Sequence, residues 1–345
     1  MAVLFFWLNF TWKISQTARN NLNNRPEPET AASASRTELP KEPAAKEVSF
    51  IAVGDIMLSR VVGQKMASHQ DYNYPFLKTA EYLKTGEIVF GNLETAITAG
   101  RRIETGEFSF RSDPETALSL KNNGFTIVSL ANNHSTNFGQ KGLNDTFKYL
   151  SDAGLFFVGA GETLSRASSS VIIEKNGLKF AFLAYDDPAV PGSVAATARS
   201  AGINPAAKEG LIKSISQLKD QSDFIIISLH AGIEYTDQPS QFQKNFARAA
   251  IDAGADLIIG HHPHWVQSAE VYKGKYIFYS LGNFVFDQMW SEPTREGLVV
   301  KFVFTKQGVK SIELKPILIE DYSQPRFLEG ERAKRIIERL KLPVE

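Results

Sequence analysis

The sequence predicts an α/β body in which two mixed sheets pack face to face with helices outside them. Near-continuous apolar runs recur along the chain and read as strands buried on both faces. Segments with helical spacing separate several of these runs, the alternation expected of α/β units. In the last third, apolar runs instead face each other across short turns, which adds antiparallel strands.

The chain opens MAVLFFWLNFTWK, where residues 2–12 are apolar apart from Asn9 and Thr11. This is about half of the ~20 residues needed to cross a bilayer. It has neither a basic stretch before the apolar run nor a small-residue cleavage site after it. Phe5, Phe6, Trp7 and Phe10 suit a membrane interface, so residues 1–14 are expected to be a membrane anchor or a truncated signal-anchor. A short irregular N-terminus is the alternative. Residues 15–47, rich in Pro, Glu, Ala, Ser and Lys, are expected to form a disordered linker.

The main domain is expected over 48–321. Its strands are read in EVSFIAVGDIML, EIVFGNLE, FTIVSLANNHS, DFIIISLHAG and ADLIIGHHPH. Helices are read in PETALSLKNNG, EGLIKSISQLKDQ and two further segments. In GQKGLNDTFKYLSDAG, Leu143, Phe147 and Leu150 share a face and Gly154 is the stop. In SQFQKNFARAAIDAG, Phe242, Phe246, Ala249 and Ala250 form a stripe and Gly254 is the stop. Two hairpins are expected, over Lys273-Gly274 and over Gln307-Gly308. Residues 322–345 are expected to be a helical tail.

The 345 residues are 43% hydrophobic and 22% charged, enough for a substantial core. Lys+Arg and Asp+Glu are both 38, and no basic stripe points to nucleic acid. The absence of cysteine excludes disulfides, zinc–thiolate sites and thiol nucleophiles.

The chemistry is concentrated where strands end, which is where ligand sites form in open α/β sheets. Five strands end in Asp55; Asn92 and Glu94; Asn133 and His134; His230; and His261, His262 and His264. Each has an ordinary reading by itself: Asp55 as a turn residue, His230 as a hydrogen-bonded structural histidine. Taken together, hard oxygen and imidazole donors without thiolate predict one site for Zn, Mn or Fe.

The segments AVGDIML, GNLET, SLANNHSTNFGQKGLNDT, HAGIEY and IIGHHPHWVQ with IFYSLGNFVFDQ resemble the CapA family of capsule and poly-γ-glutamate synthesis. The resemblance implies a calcineurin-like metallophosphatase fold, a four-layer α/β/β/α sandwich. It also implies a cell-membrane location, with an N-terminal anchor and the globular domain extracytoplasmic. Metallophosphatases of this fold hold two metals with an Asp-x-His, a Gly-Asp pair, an Asn-His pair, a distal His and a final His-x-His. Asp55 matches the first Asp, but Met57 stands where its His would be. Asn92 stands at the metal-bridging Asp, with Glu94 two residues on. Asn133-His134, His230 and His262-Pro263-His264 match the rest.

The losses at Met57 and Asn92 make one divalent transition metal the expectation, rather than two. Its expected ligands are Asp55, Glu94, Asn133, His230, His262 and His264, with His134 protonating a leaving group or orienting the electrophile. Pro263 biases His262 towards an extended backbone. Residues two apart then project to one side, so His262 and His264 are expected to face the metal and His261 to face away.

Arg111, Asn92, Glu234 and Asn283 are candidate substrate-binding residues, Arg111 because a guanidinium suits carboxylate or phosphate. A salt bridge for Arg111 and a turn role for Asn283 compete with this, and Asp186-Asp187-Pro188 reads as the start of a turn. The functional expectation is a metal-dependent hydrolase or transferase acting on a phosphoester or an amide such as the γ-glutamyl link. The alternative is a non-catalytic polymer-binding or assembly component. Expected partners are an anionic envelope polymer or its precursor and membrane synthesis subunits.

Overall fold

The computed structural model describes residues 46–342. The expected anchor at 1–14 and nearly all of the expected linker at 15–47 lie outside them. No helix among the described residues is long and apolar enough to cross a membrane.

Strands β1 (Val48–Ile56), β2 (Ile88–Leu93), β3 (Ile127–Ser129) and β4 (Phe156–Val158) run parallel as successive neighbours. The chain then enters a second sheet through the hairpin β5 (Val171–Lys175) and β6 (Leu178–Asp186). There β7 (Phe224–His230) and β8 (Leu257–His261) add in parallel. The hairpin β9 (Ala269–Tyr272) and β10 (Lys275–Phe278) completes it, β10 parallel to β8. The chain returns to the first sheet as β11 (Asn283–Val285), parallel to β1. Three antiparallel strands follow: β12 (Glu296–Thr305), β13 (Gly308–Glu320) and β14 (Gln324–Phe327). The sheets have eight and six strands.

The two sheets face each other across a phenylalanine-rich core. At its centre the Phe50 ring lies 5.8–6.5 Å from those of Phe90, Phe182, Phe302 and Phe304. Helices α1 (Arg60–Ser68), α2 (Glu115–Asn122) and α3 (Gly139–Asp152) cover the outer face of the first sheet with Val62, Leu120, Leu143 and Leu150. Helices α4 (Lys208–Leu218) and α5 (Gln241–Ala253) cover the second with Leu211, Ile215, Phe246 and Ala250. This is the expected four-layer α/β/β/α sandwich.

Helix α5 begins at a capping box between Ser240 and Gln243 and stops at Gly254, whose φ of 120° suits a residue without Cβ. Phe242, expected on its buried stripe, is 36% exposed, since the stripe is carried by Phe246 and Ala250. The first hairpin turns over Lys273 and Gly274, both at positive φ, as a two-residue primed turn requires. The second turns over Lys306 and Gln307, one residue earlier than expected, because Thr305 pairs with Gly308.

Residues 322–342 are part of the same body. Strand β14 pairs with β13, and helix α6 (Gly330–Arg339) sends Ile336 into the core between the sheets, followed by Leu340. Because Phe50 meets four other rings in that core, Phe50→Ala should lower stability by about 3–5 kcal/mol, read as a fall in the urea midpoint without a change in slope.

Candidate metal centre

The inward faces of the two sheets decide what meets at the strand ends. Phe182 and Ala184 on β6, Phe224 and Ile226 on β7, and Leu257 and Ile259 on β8 all face the first sheet. Continuing the same period-2 alternation brings Asp186, His230 and His261 to that face, in register as one row. Across from them, Asp55 and Asn92 are register partners on β1 and β2. Asp55 can come this close to the β11 turn because Gly54 has no side chain: a Cβ there would lie 1.8 Å from the Gly282 carbonyl oxygen.

Asp55, Glu94 and His230 are buried, and one ligand atom from each lies within 4.8 Å of the others. His264 Nδ1 is 3.4 Å from Asp55 Oδ2, and its Nε2 is 3.8 Å from Glu94 Oε1. The His262 ring lies 4.7 Å from that of His230. Asn133 Oδ1 is 3.1 Å from His230 Nε2. The six expected ligands therefore converge.

Asparagines orient three of the rings. Asn133 meets His230, Asn283 Oδ1 lies 2.9 Å from His264 Nδ1, and Asn137 Oδ1 lies 2.9 Å from His134 Nδ1. A carbonyl oxygen only accepts, so each partnered nitrogen carries the proton. His134 is also stacked 4.0 Å from the Phe110 ring, and its free Nε2 stands 3.7 Å from Glu94 Oε1.

The charges follow from burial and neighbours. Burial works to raise the Asp55 carboxyl, but His261 and His264 outweigh it and hold Asp55 well below the usual range. Burial also works to lower His264, but Glu94 and Asp55 raise it to about 9. Burial pushes Glu94 well above the usual range, with Asp55 adding to the shift. Burial lowers His230 well below its ordinary value, His262 to about 3 and His134 to about 4. His230 and His262 are thus in the neutral form that ligates a metal, whereas His264 would give up a proton to a bound cation. Glu94 Oε1 and His262 Nδ1 are buried without a hydrogen-bond partner. With no thiolate in the donor set, these residues fit a divalent transition cation.

Four expectations change. His261 is no bystander: it ends β8 on the inward face, and its Nδ1 lies 3.3 Å from Asp55 Oδ1. The 262–264 segment is not extended; His262 and His264 have φ of 98° and 58°, so left-handed turns bring their rings inward. Arg111 is not free for a ligand. It is buried, donates to the Arg101 and Thr98 carbonyls at 2.7 and 2.8 Å, and pairs with Asp113. Asn283 is spent on His264, Gln288 and the Thr294 carbonyl, and so positions the ring.

Glu234 is exposed, in the loop where the Tyr235 ring packs 5.9 Å from His264. Met57 is buried, its sulfur accepting from the Ser59 N–H, and takes no part in the centre. Sequence reasoning missed Asn132, whose amide holds Asn92. It also missed Arg60, which lies 4.7 Å over Phe110 and pairs with Asp287 across 227 positions, with no sequence signal.

Residues 49–288 match the family model described as bacterial capsule synthesis protein PGA_cap. The chain belongs to this family. It is 36% identical over 288 residues to the capsule biosynthesis protein CapA of Bacillus anthracis, covering 81% of this chain and 69% of that one. It is likewise 36% identical over 293 residues to the PGA biosynthesis protein CapA of Bacillus subtilis, covering 84% and 76%. Among solved structures, a hypothetical protein of Thermus thermophilus aligns with a TM-score of 0.52 at 12% identity, covering 78% of this chain and 98% of that one. A 5′-nucleotidase candidate from Staphylococcus aureus, in complex with α-ketoglutarate, aligns at 0.50 and 14%, covering 86% and 58%. This PGA_cap chain thus has a metallophosphatase-like fold with a buried Asp, Glu and His cluster at its strand ends.

Asp186, beside His230 in the row, is an unmatched acid. Its Oδ2 accepts from Ser193 Oγ, while Oδ1 is buried without a partner, and burial pushes its carboxyl well above the usual range. The folded chain then keeps this proton where the unfolded chain has lost it, so the contribution to stability falls as pH rises from the unfolded value. Asp186→Asn should therefore stabilise the protein at neutral pH and lose that advantage towards pH 4, checked by urea midpoints of both proteins across that range.

Proposed function

We propose that this protein is a metal-dependent hydrolase or transferase of capsule or poly-γ-glutamate synthesis, tethered to the membrane by its N-terminal segment with the domain extracytoplasmic. The observation that carries this reading is the buried meeting of Asp55, Glu94, His230, His262 and His264, with Glu94 Oε1 and His262 Nδ1 left without partners. Buried polar atoms of this kind normally find a partner.

The cation would be held by ligands drawn from Asp55, Glu94, Asn133, His230, His262 and His264. When bound, it supplies a Lewis acid that polarises the scissile group and acidifies water. The chain's own residues do the rest. Asn137 fixes the proton of neutral His134 on Nδ1 and leaves the bare Nε2 facing the centre, where it would take a proton from the attacking water and, as imidazolium, return it to the departing oxygen or nitrogen. Phe110 and Phe286 wall the rings of His134 and His264 from solvent. Exposed Glu234 lies next to Tyr235, whose ring packs beside His264. The substrate is an anionic envelope polymer or its precursor, cut or transferred at a phosphoester or γ-glutamyl amide.

Met57 and Asn92, both held by hydrogen bonds where the two-metal pattern has ligands, favour a second reading: a non-catalytic component that binds the polymer or assembles with membrane synthesis subunits. Elemental analysis of the purified chain separates the two. About one equivalent of Mn, Zn or Fe is expected, lost when His230→Ala and His264→Ala are combined. A metal-free wild-type protein leaves only polymer binding. With metal bound, phosphoesters and poly-γ-glutamate are the substrates to screen. His134→Ala should lower kcat by about 10²–10⁴-fold while the metal content stays unchanged.

A further inference from the structure

The outer face of the second sheet carries a cavity that the metal centre does not use. It encloses about 550 Å³ between one face of helix α4, residues 164–170 and the end of β6. That is within the range of small-molecule sites. Strand alternation sets it back to back with the centre. On β6, Ala184 and Asp186 turn towards the first sheet, while Leu183 and Tyr185 turn outward and form the cavity floor.

Helix α4 leaves room for the cavity. Glycine inside a helix normally weakens it, yet Gly210 stands on the lining face, and a Cβ there would meet nothing within 4 Å. Lys213, Ser214 and Gln217, three, four and seven residues on, share that face. Opposite them the sequence SRASSS places four serines in residues 165–170, and all four line the cavity.

The Tyr185 hydroxyl is buried at the floor without a hydrogen-bond partner. Ser214 and Asn204 stand beside it, and neither completes a bond. A buried hydroxyl normally has one. Burial pushes it up to about 12, so it stays a neutral donor. No Asp or Glu lines the cavity, and among the described residues Lys213 makes no ion pair. One uncompensated cation among hydroxyl and amide groups, with no acid, favours an anion that also exchanges hydrogen bonds.

We propose that this cavity is a second ligand site, separate from the metal centre, for a small compound that carries a carboxylate or phosphate beside hydroxyl or amide groups. The anionic group pairs with Lys213 and accepts from the serine hydroxyls of 165–170. A second acceptor on the ligand takes the hydrogen bond that the Tyr185 hydroxyl lacks. The site needs no metal, so it stands or falls independently of the centre.

The test uses the full chain, stripped of metal and dialysed free of chelator, so that an anion on the metal centre is not read as one in the cavity. Calorimetric titrations use γ-glutamylglutamate and glycerol 3-phosphate, with uncharged glycerol as the control. Saturable binding of one equivalent of an anion is expected. Binding of the peptide alone assigns the site to carboxylates, and binding of glycerol 3-phosphate alone assigns it to phosphates. Gly210→Leu should abolish binding by filling the cavity, and Lys213→Ala should weaken it about tenfold or more. Tyr185→Phe should weaken it too, while the urea midpoint of the unliganded protein holds or rises, because the lost hydroxyl had no partner. Binding of neither anion overturns the proposal. So does binding that survives both Gly210→Leu and Lys213→Ala, or glycerol bound as tightly as the anions.

Discussion

A charged carboxylate with no access to water governs the centre of this molecule. An ion taken out of water costs several kcal/mol unless partners surround it. Asp55 has them: the Asn92 amide from its own sheet and the His261 and His264 rings from the other. The partners come from distant parts of the chain, so solvating this one group requires both sheets to be packed in register. The local concessions around it serve the same end. Gly54 lets β1 touch the Gly282 turn, and His262 and His264 adopt left-handed backbone that an unbranched polar residue tolerates at modest cost.

Much of this was legible in the chain. Strands buried on both faces announce themselves as apolar runs, and the polar residue that ends each run marks the edge of the sheet. Asp55, Asn92, Glu94, Asn133, His230, His262 and His264 were readable for that reason. What was not legible depends on contacts without local pattern. The role of Arg111 is decided by the carbonyls of Thr98 and Arg101, whose positions are a property of loop geometry. The orientation of His261 follows from strand parity, which a Pro-based argument about 262–264 does not reach. Asn132 resembles its neighbour Asn133 in sequence, and only the backbone N–H groups it accepts from separate their roles.

The ring-orienting groups share a chemistry. His134, His230 and His264 are each met by an asparagine oxygen, and none of the three amides adds charge. A carboxylate in those places would raise the basicity of its imidazole and draw a proton to it. Amides fix the tautomer and the ring plane while leaving the charge of the centre to Asp55, His264 and whatever binds there. The match places the chain in the capsule synthesis family; the amides describe how the centre is tuned.

The division of the centre between two sheets has a thermodynamic consequence. β1 and β2 contribute one half, and β7 and β8 the other, joined by side-chain packing and by the polar contacts of Asp55 and Asn92 with the histidines opposite. A ligand that bridges the halves binds only when the sheets are docked, so its binding free energy is added to the free energy of holding the sandwich together. At a ligand concentration 100 times Kd that linkage is worth about 2.7 kcal/mol. A ligand held between the two halves would therefore also act as a clamp on the fold.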